Sequence, residues 1–157
     1  LLRISKESFD ALSFNCYALS PDHEKMNHAL ETSGLPMIIG EYHFGTVDRG
    51  LAQSLWQVNS QKERGDAFRY YTENAFAHRG LIGTGWFRWI DQNINGRTDG
   101  ENYNCGFIDV TDRPYPYMVD AAIETAKSLY EIHSGTKTPF HQAPNAVGHS
   151  PIPNLWE

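Results

Sequence analysis

The stretch Pro36-Met-Ile-Ile-Gly-Glu41-Tyr-His-Phe-Gly45 constrains this chain more than any other. Three apolar residues, opened by Pro36 and closed by Gly40, read as a short strand buried on both faces, the pattern of a parallel sheet. Glu41 stands where that strand ends. A carboxylate in such a place needs a partner, a metal or a task, because burying an isolated charge is too costly. The segment therefore predicts a parallel α/β fold with a paired or working carboxylate at a strand terminus.

The flanking sequence repeats the strand theme. Leu12-Ser-Phe-Asn-Cys-Tyr17 alternates apolar and polar residues, so a strand is expected there, with Asn15 and Tyr17 at its C-terminal end. Leu81-Ile-Gly-Thr-Gly-Trp-Phe87 predicts a third strand, its glycines permitting a bulge or a close backbone approach. Helices are expected between and after them. Ser20-Pro-Asp-His predicts a start with Ser20 as N-cap, an apolar stripe of Met26, Ala29 and Leu30, and a stop at Gly34. Ser60-Gln-Lys-Glu63 is a capping box before Ala67, Phe68, Tyr71 and Ala75 at helical spacing, with a stop at Arg79-Gly80. Pro116 opens the last helix, whose apolar face runs from Met118 to Tyr130 and which Gly135 ends. Residues 1–10 carry no strong signal.

Strands alternating with helices mean a parallel sheet. Such sheets place their sites at the C-terminal ends of the strands. All three strands deliver polar groups there: Asn15 and Tyr17, then Glu41 and His43, then Trp86 to Gln92. Two long loops follow the second and third strands, and long loops are often functional. The first holds His43, Asp48, Arg49 and Trp56. The second runs from Asp91 to Asn104 and is dense in hydrogen-bonding groups.

Several chemistries are excluded or weakened. The net charge of -6 and the lack of a basic run argue against a nucleic-acid surface. No apolar run approaches the length of a membrane span. Cys16 and Cys105 form no Cys-x-x-Cys pair and read as small buried residues. No nucleophile elbow or phosphate-binding loop occurs. Asp91, Asp99, Glu101 and Asp109 fit no short metal-binding motif, so no metal and no cofactor are expected. Aromatic residues make up 13% of the chain, and sugar sites stack pyranose rings on flat aromatic faces. Glu41 has two readings on these grounds: a salt bridge to Arg49 or Arg88, or catalysis.

Pro36 to Gly45 with Asp48-Arg49-Gly50, then Gly83-Thr-Gly-Trp-Phe87, Asp91-Gln92, Gly96-Arg97, Asp99-Gly-Glu-Asn-Tyr103, Gly106-Phe107 and Pro114-Tyr-Pro116, resembles glycoside hydrolase family 50. The resemblance, running from about Asp10 to about Gly135, is to the C-terminal part of the catalytic barrel of these retaining β-agarases. It implies that the three strands are the sixth, seventh and eighth of a (β/α)₈ barrel, incomplete in this chain. Residues 1–135 would be barrel and residues 136–157 a Pro-rich extended tail with Pro139, Pro144, Pro151 and Pro153. It implies Glu41 as nucleophile and Trp86 as the floor of the reacting subsite. It implies substrate contacts from Asn15, Tyr17, His43, Asp91, Gln92, Glu101 and Asn102. The substrate would be a galactan or agaro-oligosaccharide, and the compartment secreted or periplasmic.

A retaining mechanism needs two carboxylates. The family's acid/base comes from strand four, which would precede Leu1, so the missing N-terminal strands are required for activity. The opening Leu1-Leu-Arg-Ile, with no initial Met, fits an internal or trimmed piece. Two rival readings follow: a carbohydrate-binding or inactive glycosidase remnant, and a metal-dependent hydrolase using Glu41, His43 and Asp91.

Overall fold

The computed structural model describes residues 1–148. In chain order the elements are α1 (Leu2–Ser8), β1 (Leu12–Phe14), α2 (His23–Ser33), β2 (Met37–Tyr42), β3 (Trp56–Gln57), α3 (Gln61–Phe76), β4 (Leu81–Trp86), α4 (Pro116–His133) and β5 (Val147–Gly148). Strands β1, β2 and β4 form one parallel sheet in the order β1-β2-β4. The three expected strands and three expected helices are present. Among the described residues no helix is long and apolar enough to cross a membrane.

Local chemistry shifts some boundaries. The cap of α2 is Asp22, not Ser20: its Oδ1 accepts from the N–H groups of Glu24 and Lys25 at 3.0 and 3.1 Å. A carboxylate near a helix start also meets the dipole favourably, an advantage Ser20 lacks. Gly34 ends α2 at φ 70°, a left-handed conformation that glycine adopts without strain. Ser60 caps α3 as expected, but Glu63 reaches back to the N–H of Asn59 instead of that of Ser60. Helix α3 ends at Phe76, before Arg79-Gly80. Helix α1 was invisible in the sequence because none of its residues is buried and no apolar stripe marks it.

The core lies between the sheet and its helices. Leu12, Phe14 and Cys16 from the first strand region, Met37 and Ile39 from β2, and Leu81 from β4 pack toward α2 and α3. Tyr42 stacks on Tyr71 of α3 with ring centroids 4.0 Å apart, and its hydroxyl bonds that of Thr72. Both cysteines are buried and free.

Strict alternation would send Glu41 to the same face as Met37 and Ile39. It does not go there, because β2 carries one extra residue. Ile39 pairs with Thr84 and Tyr42 with Trp86, so three steps on β2 match two on β4. This is a β-bulge at Gly40-Glu41. It returns Tyr42 to the helix side and leaves Glu41 and His43 on the opposite face. Strand β2 is thus not buried on both faces as its composition suggested: Ile38, Gly40 and Glu41 are only half-buried.

The tail is tied down through Phe140 to α3. Its N–H donates to Glu73 Oε2 at 2.7 Å, its carbonyl accepts from Asn74 Nδ2 at 3.0 Å, and Arg69 lies over its ring. Strands β3 and β5 pair antiparallel. Neither short strand has a sequence period to announce it. Pro151 and Pro153 lie outside the described residues.

The bulge leaves the backbones of β2 and β4 unusually close. A Cβ at Gly85 would run into the Gly40 carbonyl oxygen, well inside contact distance, whereas one at Gly83 would meet Ile38 Cγ2 at 3.6 Å. Gly85→Ala is therefore expected to destabilise the protein by about 1–3 kcal/mol, and Gly83→Ala by far less. Urea denaturation of the two variants checks this; equal midpoints would show that the bulge does not set the spacing.

Candidate active site

Glu41 leaves β2 on the face turned away from α3. Its Oε2 accepts from Asn15 Nδ2 at 2.9 Å and from the Tyr17 hydroxyl at 2.8 Å. The backbone between these donors is pinned on both sides. The Cys16 N–H donates to the Glu41 carbonyl at 2.9 Å, and the Cys16 carbonyl accepts from the Tyr71 hydroxyl at 2.6 Å. With Cys16 turned into the core, Asn15 and Tyr17 on either side of it converge on the carboxylate. Burial, and then the bond to Glu41, push the Tyr17 phenol well above its ordinary pKa, so it stays a donor. Both bonds fall on Oε2 and leave Oε1 for other chemistry. Among the described residues Glu41 forms no ion pair with Arg49 or Arg88, and Arg49 pairs with Asp48.

His43 shares the face of Glu41 but is 2% exposed. Its Nδ1 bonds the Phe87 carbonyl at 2.9 Å, which fixes Nδ1 as the donor, and its Nε2 accepts from the Leu55 N–H at 3.1 Å. The ring packs against Tyr17, Phe87 and Tyr103. Burial lowers its pKa to about 3, so it is neutral through the physiological range. Both ring nitrogens of His43, for which the resemblance implied a substrate contact, are engaged within the protein.

Asp91 and Gln92 also prove to be buried anchors. Asp91 accepts from the Gly106 N–H, the Tyr115 hydroxyl and Asn104 Nδ2 at 2.6, 2.6 and 2.9 Å. The amide of Gln92 spans its own loop, donating to Glu101 Oε2 at 2.8 Å and accepting from the Tyr103 N–H at 2.7 Å. Asn104 Oδ1 in turn accepts from Thr46, Gln61 and Arg64. Arg64, fully buried, reaches the carbonyls of Phe44 and Gly106 at 3.1 and 2.6 Å and lies over the Tyr115 ring. Asp91 therefore does not join Glu41 and His43 as a metal-binding set. Among the described residues no group of three or more His, Cys, Asp or Glu is arranged to hold a metal ion.

Trp86, for which the resemblance implied the floor of the reacting subsite, is half-buried among other rings. It pairs with Tyr42 and lies among Tyr42, Phe44, Phe68 and Phe107 on the helix side of the sheet. Its indole N–H donates to the Cys105 carbonyl at 2.6 Å. The next residue, Phe87, is the one on the Glu41 side, against His43 and beneath the Arg97 guanidinium. Glu101 is half-buried beside that aromatic patch, 3.4 Å from Arg97 Nη1. Asn102 is half-buried, and its carbonyl accepts from the Ala52 N–H at 3.1 Å.

No family model matches the chain. Individual proteins do. β-Agarase A of Vibrio sp. (strain JT0107) is 39% identical over 128 residues, which is 77% of this chain and 13% of that protein. An exo-β-agarase structure superposes with a TM-score of 0.80 at 36% identity, over 85% of this chain and 18% of that one. The structure of PfGH50B gives 0.77 at 40% identity, over 81% and 18%. The chain is related to the β-agarases of glycoside hydrolase family 50. It spans about an eighth of the length of the curated agarase it matches.

Against that family relationship, the structure brings Asn15, Tyr17 and Glu41 into direct contact. Glu101, Asn102 and Trp86 are half-buried, and His43, Asp91 and Gln92 are buried with bonds inside the protein. The sequence reading missed Phe87, Tyr103 and Arg97, because which aromatic faces Glu41 depends on the register across the bulge. It also missed Arg64, although a signal existed. Arg64 lies on the same helical stripe as Ala67, Phe68 and Tyr71, where a charge must be buried.

The neutral His43 makes stability depend on pH. Its folded pKa of about 3 lies below the unfolded value of about 6.5, so the unfolded chain binds the extra proton between them. The His43 contribution should be constant above about pH 6.5 and fall below it, by up to about 1.4 kcal/mol per pH unit. Unfolding free energies measured from pH 7 to pH 4 should show this slope in the wild type. The slope should flatten in His43→Asn, and an unchanged slope would assign it to other groups.

Proposed function

We propose that this chain is the part of a retaining β-glycosidase that carries the nucleophile, acting on an agarose-type galactan. In this reading β1, β2 and β4 are strands six, seven and eight of a (β/α)₈ barrel. Residues 1–135 belong to that barrel, and residues 136–157 are a C-terminal tail, tied to α3 through Phe140. The agarase relatives support the reaction class. The strand order, wholly parallel with unpaired edges on β1 and β4 among the described residues, suits continuation into further strands.

The observation that carries the proposal is the presentation of Glu41. A bulge turns it off the core face at a strand C-terminus, and two donors hold Oε2 while Oε1 has no partner among the described residues. A carboxylate held in this way loses little orientational freedom on reaching the transition state. In the first step an Oε1 lone pair attacks the anomeric carbon as the glycosidic C–O bond breaks. A second carboxyl group, about 5–5.5 Å away, protonates the leaving oxygen. The same group then removes a proton from water, which attacks the anomeric carbon and releases Glu41.

We place that acid/base outside residues 1–157. The nearby carboxylates are otherwise engaged: Asp91 with Tyr115, Asn104 and Gly106, and Glu101 with Gln92 and Arg97. Phe87, Tyr103 and the half-buried Glu101 and Asn102 supply the remaining wall for a sugar. Its axial and equatorial hydroxyls would meet the polar groups, and its apolar face the rings.

In the complete enzyme, Glu41→Ala should lower hydrolysis of an aryl β-galactoside by about three orders of magnitude while leaving the fold intact. Added azide should restore turnover and yield the α-glycosyl azide, because it enters from the face the carboxylate vacated. Near-normal hydrolysis by Glu41→Ala would refute the assignment. The 157-residue chain by itself should hydrolyse nothing.

A further inference from the structure

Tyr17 is held to Glu41 by a single hydrogen bond from the end of its side chain. One bond leaves the phenol ring free to tilt, and a catalytic carboxylate needs its supports fixed to about 0.5 Å. The Tyr17 ring packs against the imidazole of His43, with centroids 4.9 Å apart and planes at 62°. The same imidazole touches Phe87 and Tyr103, each with its centroid 5.9 Å away. It therefore meets three segments that carry the candidate sugar-facing groups: the end of β1, the end of β4, and the Asp91–Asn104 loop.

We propose that His43 is the positioning residue of the Glu41 site: its ring, tied to the Phe87 carbonyl and the Leu55 N–H, sets the Tyr17 hydroxyl on Glu41 and registers the Tyr103 loop against it. The inference rests on reading Glu41 as the nucleophile. It explains why this position holds histidine. The site needs a flat ring to wedge three aromatic neighbours apart. It also needs a donor on one edge for Phe87 and an acceptor on another for Leu55. Neutral imidazole supplies all three features together. Phenylalanine would keep the wedge and orphan two buried backbone groups. Asparagine would keep a donor and an acceptor and lose the wedge.

The coupling extends outward through connected bonds. The Tyr103 N–H is held by Gln92, Gln92 holds Glu101, and Glu101 pairs with Arg97, which lies over Phe87. Phe87 in turn gives its carbonyl back to His43. The circuit closes on the imidazole, so loosening the ring loosens both the nucleophile support and the loop.

The test is a double-mutant cycle in the complete enzyme, using His43→Asn and Tyr17→Phe, with thermal melting to confirm folding. Each single change should lower kcat by about 10–100-fold with KM changed by less than about threefold. The double variant should be no more than about twofold slower than the slower single variant, because both act through the Tyr17 hydroxyl. Fold-changes that simply multiply would overturn the proposal. If His43→Asn does not fold, His43→Gln takes its place in the cycle under the same criterion. Glu41→Gln in the same assay separates the two ideas. Activity retained by Glu41→Gln would overturn the nucleophile reading and this one with it. Loss of activity there, alongside multiplying effects in the cycle, would overturn only the role of His43.

Discussion

The whole arrangement depends on a guanidinium that never meets water. Arg64 projects from α3 into a fully buried position, where burial pulls its pKa down and the charge of Asp91 opposes that pull. Removing such an ion from water costs several kcal/mol, and only a complete set of partners offsets it. Those partners come from three places far apart in sequence: the exit of β2 at Phe44, its own helix at Gln61, and the long loop at Asn104 and Gly106. Asn104 mediates between the charges. Its oxygen faces Arg64 and its nitrogen faces Asp91, so the amide orientation is dictated from both sides. Tyr115 completes the circuit, donating to Asp91 while its ring lies beside the guanidinium. The loop after β4 is therefore clamped to the helix layer, although it has little secondary structure of its own.

With that clamp in place, the C-terminal edge of the sheet becomes a rigid platform. The helix-facing rings of Tyr42, Phe44, Phe68 and Trp86 fill the space above α3. On the other face stand Asn15, Tyr17, Glu41, His43 and Phe87, each held by backbone that is itself bonded into the frame. Polar groups divide into two sets on the same physical ground. Those with each polar side-chain atom bonded inside the protein, such as Asp91, Gln92 and His43, shape the platform. Glu41, with Oε1 unbonded among the described residues, has capacity left over.

Much of this was legible in the chain. The apolar run before Glu41, the period of two at Leu12–Cys16 and the helical spacing in α2, α3 and α4 encode the βα alternation directly, because those periods are the periods of the elements. The family motifs led to the agarases. Less legible was the division of labour among the polar residues. Asp91 and Gln92 look like surface groups on a polar loop, and nothing local reveals that Tyr115 and Gly106, more than a dozen residues on, will enclose Asp91. The role of Trp86 as a sugar platform was only what the family resemblance implied, and its ring neighbours on the helix side could not be read locally. Helix α1 and the β3–β5 pairing left no periodic trace at all.

Taken by itself, the sequence determined which segments become strands and helices, and that a carboxylate would stand at the end of a strand. Periodicity and capping act over a few residues, so they can be read from a few residues. Only the tertiary structure decided which face that carboxylate would take. The register slips twice, by one residue on β4 between Leu81 and Gly83 and by one on β2 between Ile39 and Tyr42; the first sends Trp86 into the helix layer and the second turns Glu41 toward Asn15 and Tyr17. A bulge is a property of two strands in register, and register exists only when segments separated by some forty residues come together.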